Sequence, residues 1–255
     1  MSSNYSDSFN QKNIRISLLI PCRNEKGTIC TAIDLGTKLP GVDEIFVIEG
    51  NSTDGTYETA VEFSLKFQKD RNCTIKVIKQ SKTGKWNAVQ EGILLTSNDY
   101  VSIWDADLTV SFSEQSLIHE KFISNFQKFN VPCLSTGNRM SFREPGSMRI
   151  LNFLGNSFFS KIWSLISGQH IPDLLCGSKV FSKYILETIS KSLFQKDPYG
   201  DFVIFAAALN NGQKIKFQNL TYRPRIYGQT NILRWSGGIQ LLIFTLYYIR
   251  ENKIR

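Results

Sequence analysis

Two carboxylates one residue apart, Asp105 and Asp107, close the apolar run Val-Ser-Ile-Trp at 101–104. Paired acids at the end of an apolar strand can hold a hard divalent cation. Mg²⁺ and Mn²⁺ take oxygen ligands and commonly use one or two carboxylates plus substrate phosphates. Such a cation would bridge a diphosphate and neutralise charge on a departing nucleotide. A D-x-D pair also serves as a turn or helix cap in many loops, so its weight comes from its position. A second polar cluster, Glu49-Gly-Asn-Ser-Thr-Asp-Gly-Thr56, follows another apolar run. Gly50 and Gly55 permit tight turns, Asp54 or Thr56 can cap the next helix, and an acid at a strand end can hold a ribose or a base edge. A third, Ser81-Lys-Thr-Gly-Lys85, puts Lys85 at a helix start, where it could meet a diphosphate or donor sugar. It lacks the full phosphate-loop spacing, and an exposed, solvated lysine is the equal alternative.

These clusters need a scaffold that brings them together. Short apolar runs at Ile16–Ile20, Ile45–Ile48, Ile75–Ile78 and Val101–Trp104 read as strands. Between them, helical patterns span about Gly27–Leu39, Thr56–Gln68 and Lys85–Thr96. Strands alternating with helices predict a mostly parallel sheet with crossover helices. In such sheets ligands bind outside the carboxyl ends of the strands, and the first, second and fourth runs end in Pro21–Glu25, Glu49–Thr56 and Asp105–Asp107. The second half differs. Residues 148–166 carry a narrow polar stripe (Arg149, Asn152, Asn156, Ser160, Ser164) on an otherwise apolar helix. That helix either packs on the core or lies at a lipid interface.

Composition bounds the rest. The 255 residues are 42% hydrophobic and 20% charged, which excludes a disordered chain and a coiled coil. Five scattered Cys without C-x-x-C spacing and two His argue against a zinc site, a disulfide scaffold and triad chemistry, and point to a reducing cytoplasm. The polar start has no signal-peptide pattern, and no apolar run reaches spanning length. The formal charge is +8, and residues 214–255 hold eight basic residues against the single acid Glu251. A basic end beside apolar residues predicts an anionic partner. Nucleic acid is not expected, because the acidic strand-end loops would repel its phosphates. The expected organisation is a disordered tail at 1–13, a catalytic domain at 14–235 and an apolar, basic helix at 236–255 that faces a membrane.

The blocks ISLLIPCRNE, VIEGNSTDGT, GKWNAVQEGI and WDADLTV, in this order, resemble family 2 glycosyltransferases. More narrowly they resemble the dolichol- and polyprenyl-phosphate sugar transferases. Later segments agree: GNRM at 137–140, IPDLLCGSKVF at 171–181, DPYGDFVIFAAALNNG at 197–212 and RPRIYGQTNILRW at 223–235. The resemblance implies an α/β fold, the glycosyltransferase A-type nucleotide-binding sandwich, with a central mixed, mostly parallel sheet and helices on both faces. It implies inverting, metal-dependent transfer from a UDP- or GDP-sugar, with Mg²⁺ or Mn²⁺ on Asp105 and Asp107. Pro21, Arg23 and Glu25 would line the nucleotide pocket and Glu49 the base or ribose. Asn51, Asp54, Lys85 and Ala106 complete the donor set. Arg139 and Arg225 would sit near phosphates or acceptor. The sequence departs from the family in its second loop, E-G-N-S where D-D-G-S is usual, and in Thr109, where the polyprenyl branch often has Gln.

Asp173 and Asp201 are the candidate bases or acceptor-positioning groups. A hydroxyl acceptor needs such a base. A lipid phosphate is already an anion and needs cations to position it. The arginines of the C-terminal half favour a polyprenyl phosphate acceptor, with peripheral contact at the cytoplasmic face of the membrane. A soluble glycan or protein acceptor is the alternative, and a sugar nucleotidyltransferase a more distant one.

Overall fold

The structure, a computed structural model, describes residues 14–67, 73–227 and 234–253. The expected tail at 1–13 and the segment Gly228–Leu233 lie outside the described residues. In chain order the elements are β1 (Ile16–Cys22), α1 (Ile29–Gly36), β2 (Val42–Glu49), α2 (Thr56–Phe67), β3 (Thr74–Lys79), α3 (Lys85–Leu95), β4 (Tyr100–Ile103) and α4 (Phe112–Phe129). They continue with β5 (Leu134–Arg143), α5 (Ile150–Ser167), β6 (Lys179–Ser182), a 3₁₀ turn at Lys183–Thr188, α6 (Lys191–Phe194), α7 (Asp201–Asn210), β7 (Ile215–Tyr222) and α8 (Arg234–Lys253).

The seven strands form one sheet in the order β3-β2-β1-β4-β6-β5-β7. β6 runs antiparallel to both neighbours and every other pairing is parallel. The sheet is thus mixed and mostly parallel, as the sequence predicts. Alternation along the strands assigns the faces. Leu18, Ile20, Ile45 and Val47 pack with Ile29, Ile33 and Ala60 of α1 and α2. Leu19, Phe46 and Ile48 pack on the other face with Trp86 and Val89 of α3. That second core continues into Trp163 of α5, Phe202 of α7 and Phe244 of α8. α8 is therefore built into the main core: its Phe244 and Tyr248 rings stack on Trp163.

Two features differ from the sequence expectation. Trp104 lies just past β4 and turns inward, its indole donating to the Val110 carbonyl at 3.0 Å. Of the polar stripe of α5, Asn156, Ser160 and Ser164 turn into the protein, whereas Arg149 and Asn152 are exposed. Asn156 and Ser160 are buried, while Ile150, Leu151, Leu154, Phe158 and Leu165 are exposed. The reason is local. The loop preceding β6 presents polar groups, and α5 answers them through Asn156 Nδ2 to Asp173 (2.7 Å), Ser160 Oγ to the Pro172 carbonyl (3.2 Å) and Ile171 N to Ser164 Oγ (2.9 Å).

Candidate active site

The carboxyl ends of β1, β2 and β4 open on one cleft of about 1140 Å³, which runs on to α5 and α8. Eleven of the expected residues line it: Pro21, Arg23, Glu25, Asn51, Lys85, Asp105, Ala106, Asp107, Arg139, Asp201 and Arg225. Glu49, Asp54 and Asp173 stand behind its wall. Glu49 is buried and accepts the Ser52 amide within its own loop. Asp54 accepts the amides of Lys26 (3.2 Å) and Thr56 (3.0 Å), so it braces one loop and caps α2. Asp173 is fully buried.

The first two loops are stitched to each other. Asn24 adopts a left-handed backbone (φ 56°), its amide donates to Ser52 Oγ at 2.9 Å, and its Oδ1 accepts the Thr53 amide at 2.9 Å. Glu25 N donates to Thr56 Oγ1 at 2.9 Å. Asn24 and Ser52 escape a sequence reading, although an Asn beside a strand-end Glu is the type that tolerates this backbone.

Charge in the cleft is arranged in pairs. Arg225 bridges two acids: Nη1 meets Glu25 Oε1 and Nη2 meets Asp107 Oδ2, both at 2.8 Å. Asp107 Oδ1 also accepts from Thr109 N (3.1 Å) and Oγ1 (2.9 Å), which accounts for Thr109 at that position. Lys85 Nζ sits 2.5 Å from Asp105 Oδ1. A Cβ on Gly177 would lie 2.2 Å from Asp105 Oδ2, so only glycine lets this loop close over the pair. Burial pushes the Glu25 carboxyl up to about 7, helped by the charge of Asp107 and opposed by Arg225. Asp105 is held below the usual carboxylate range because Lys85, with Arg225 and Lys179, outweighs its burial.

Deeper in, Arg139 grips Asp173 through Nε (2.8 Å) and Nη2 (2.9 Å) while its own amide donates to the same carboxylate (2.9 Å). Asp173 is held low, since these contacts outweigh burial. Lys179 on β6, fully buried, lies 2.5 Å from Asp201 Oδ1 at the start of α7. Asp197 accepts the amides of Tyr199, Phe202 and Val203 ahead of α7. Burial and the neighbouring Asp201 raise its carboxyl to about 6. Lys179 and Asp197 are absent from the sequence-derived site. The visible signal for Lys179 is a charged residue opening the apolar run Lys-Val-Phe at 179–181.

Among the described residues no group of three or more His, Cys, Asp or Glu is arranged to hold a metal ion. Asp105 and Asp107 are hard oxygen donors on the cleft wall, a set suited to a cation whose other ligands are phosphates and water.

A sheet of this order, with its polar loops and paired charges at the carboxyl ends, defines a nucleotide-binding α/β sandwich of the glycosyltransferase A type. A search of solved structures agrees. Glucosyl-3-phosphoglycerate synthase from Mycobacterium tuberculosis, crystallised with Mn²⁺, UDP and phosphoglyceric acid, superposes with a TM-score of 0.66 at 18% identity, covering 92% of this chain and 78% of that one. The profile of glycosyl transferase family 2 matches residues 17–190, and the chain belongs to that family. Among curated relatives, glycosyltransferase AglJ of Haloferax volcanii is 28% identical, over 89% of this chain and 70% of its own length. The low-salt glycan biosynthesis hexosyltransferase Agl6 of the same organism is 27% identical over 91% of this chain but 53% of its own length. Dolichyl-phosphate beta-glucosyltransferase of Dictyostelium discoideum is 25% identical over 71% of this chain and 58% of its own length. The chain thus spans little more than half of the latter two.

Proposed function

We propose that the chain is an inverting hexosyltransferase that moves a sugar from a UDP- or GDP-sugar to a phosphate-bearing acceptor, in the first instance a polyprenyl phosphate of cell-envelope glycan or glycolipid synthesis. The observation that carries the lipid acceptor is the inverted α5. Its Asn156, Ser160 and Ser164 face the loop that precedes β6, while Ile150, Leu151, Leu154 and Phe158 stand exposed, Leu151 on the cleft itself. On α8, Ile239, Leu242, Ile243, Leu246 and Tyr247 are also exposed. Exposed Arg149, Lys161 and Arg250 lie on the same two helices, a composition suited to the surface of an anionic membrane. No described helix is long and apolar enough to cross a membrane. In this reading the contact is a peripheral one at the cytoplasmic face. The dolichyl-phosphate relative supports the same acceptor class.

In this reading the acceptor phosphate attacks the anomeric carbon opposite the nucleotide and needs no strong base. Lys85 and Arg225, exchanging their partners Asp105 and Asp107 for the donor's diphosphate, meet the charge that grows on the leaving group. Asp105 and Asp107 would hold Mg²⁺ or Mn²⁺, which supplies further neutralisation of the diphosphate. Arg139 stands on the acceptor side, fixed by Asp173.

The test is transfer of labelled sugar to a polyprenyl phosphate in anionic vesicles, alongside a nucleotide-sugar thermal shift with Mn²⁺. We expect lipid product, and a donor-dependent shift that Asp107→Ala abolishes. A shift kept in that variant would remove the D-x-D assignment. A second reading, a soluble phosphorylated acceptor, is favoured by the phosphoglycerate complex of the structural neighbour. Turnover of 3-phosphoglycerate with none of the lipid would establish it.

A further inference from the structure

Asp201 is the carboxylate best placed to serve as a general base on the acceptor side, since it lines the cleft and Asp173 does not. Its surroundings suit another task. The side chain of Lys179 is fully buried, and its ammonium lies 2.5 Å from Asp201 Oδ1 while also donating to the Cys176 carbonyl. Asp201 retains 10% side-chain exposure, on the cleft side. Its carboxylate sits in the first turn of α7, where the helix dipole favours the anion. One of its two carboxylate oxygens is thus occupied by the ammonium. The same ammonium cancels the field that Asp201 would otherwise project into the cleft, where it would repel an incoming phosphate. Burying a lysine is costly, and an apolar side chain would fill the position at less cost.

We propose that Lys179 is a positioning and specificity-determining residue: by cancelling the charge of Asp201 in the cleft wall it admits an anionic substrate group, and by occupying Asp201 Oδ1 it keeps that carboxylate from acting as the base for a hydroxyl acceptor. The proposal rests on the phosphate-acceptor reading above. Two anions could be the beneficiary, the acceptor phosphate or the donor diphosphate; Asp201 opens α7, whose Phe202 packs on Phe159 and Trp163 of α5 and Phe244 of α8, the two helices read above as lipid-facing, and this favours the acceptor.

The experiment compares wild type, Lys179→Met and the neutral pair Lys179→Met/Asp201→Asn in the full chain. Acceptors are a short-chain isoprenyl phosphate and 3-phosphoglycerate, and the Kd for UDP and GDP is measured by calorimetry. Lys179→Met leaves a bare carboxylate, and we expect the acceptor KM to rise tenfold or more with nucleotide Kd within threefold of wild type. In the neutral pair the acceptor KM should return to within about threefold. Because the neutral pair removes both charges together, it keeps the test decisive if Lys179→Met alone does not fold. A neutral pair that keeps its acceptor KM but loses a hundredfold or more in kcat would make Asp201 the base and overturn the proposal alone. A rise in nucleotide Kd instead of acceptor KM would overturn the acceptor assignment. Wild-type transfer only to hydroxyl acceptors would overturn this proposal together with the reading beneath it.

Discussion

The cleft holds two kinds of ion pair, and they divide it. On what the proposed function makes the donor side, Lys85 and Arg225 come from a helix start and a segment past β7, and their side chains are 31% exposed; Asp105 beside Lys85 is 32% exposed, while Glu25 and Asp107 beside Arg225 are buried. On the acceptor side, Arg139 and Lys179 both sit on strands, 13% and 0% exposed, and their acids are buried to match. Exposed pairs are worth little to stability and exchange partners at low cost. Buried pairs cost much to form and more to break. In the proposed reading, Lys85 can therefore trade Asp105 for a diphosphate with every turnover, whereas the Arg139 and Lys179 pairs keep a fixed pattern of charge.

The largest expected effect tests that division directly. Arg139→Met strands the Asp173 carboxylate, which has no solvent to turn to. By urea unfolding we expect a loss of about 3–5 kcal/mol. Lys85→Met, whose partner Asp105 is itself 32% exposed, should lose about 1 kcal/mol or less while transfer falls on the order of a hundredfold, an effect of the size seen when one charge-stabilising donor is removed. Equal stability losses in the two variants would erase the distinction between them.

A smaller effect sharpens the comparison through pH. Burial, with help from Asp201, raises Asp197 from the ordinary 3.8 to about 6. The folded state therefore holds this proton more tightly than the unfolded chain. Its stabilising contribution is full below about pH 3.8 and is lost as pH climbs through about 6, a swing of about 3 kcal/mol. Asp173 has the opposite sign: its depressed carboxyl stabilises at neutral pH and loses that contribution as pH falls. In stability curves measured from pH 4 to 7, Asp197→Asn should reduce the descending component to what Glu25, itself raised to about 7, contributes, and leave the acid-side loss intact. A variant with the wild-type slope would dissociate Asp197 from it.

The donor half was legible in the sequence to a degree the acceptor half was not, and the cause is physical. β1, β2 and β4 are buried on both faces, so they read as continuous apolar runs, and their loops follow in fixed order. β5 carries Thr136, which donates to the Ser178 carbonyl (3.0 Å), and Asn138, which pairs with Asn219 of β7 (Nδ2 to Oδ1, 3.0 Å), and these polar residues hide both strands from a hydropathy reading. Asp105 and Asp107 announce themselves by spacing. Lys179 and Asp201 are 22 residues apart, and only the packing of β6 and α7 in one core brings them together. For α5 the periodicity showed a stripe without showing which side faced inward. The buried Asp173, which draws Asn156 in, decides that.

That reversal carries the smallest predicted effect on the fold. Leu154 and Phe158 are 55% and 53% exposed, four residues apart on the outer face of α5. Leu154→Ser/Phe158→Ser removes partly solvated apolar surface from a helix whose inner contacts, through Asn156, Phe159 and Trp163, stay intact. Thermal unfolding should move by no more than about 1 kcal/mol, the scale of surface substitutions. Co-sedimentation with anionic vesicles should fall severalfold, because each side chain forfeits about 1 kcal/mol or more of apolar burial in the interface. Turnover of a short, water-soluble isoprenyl phosphate should be unchanged. Vesicle binding that survives the double substitution would move the membrane contact off α5 and onto the exposed face of α8. A large loss of stability would mean that these side chains are covered within the folded protein, and the lipid-facing reading of α5 would fall with them.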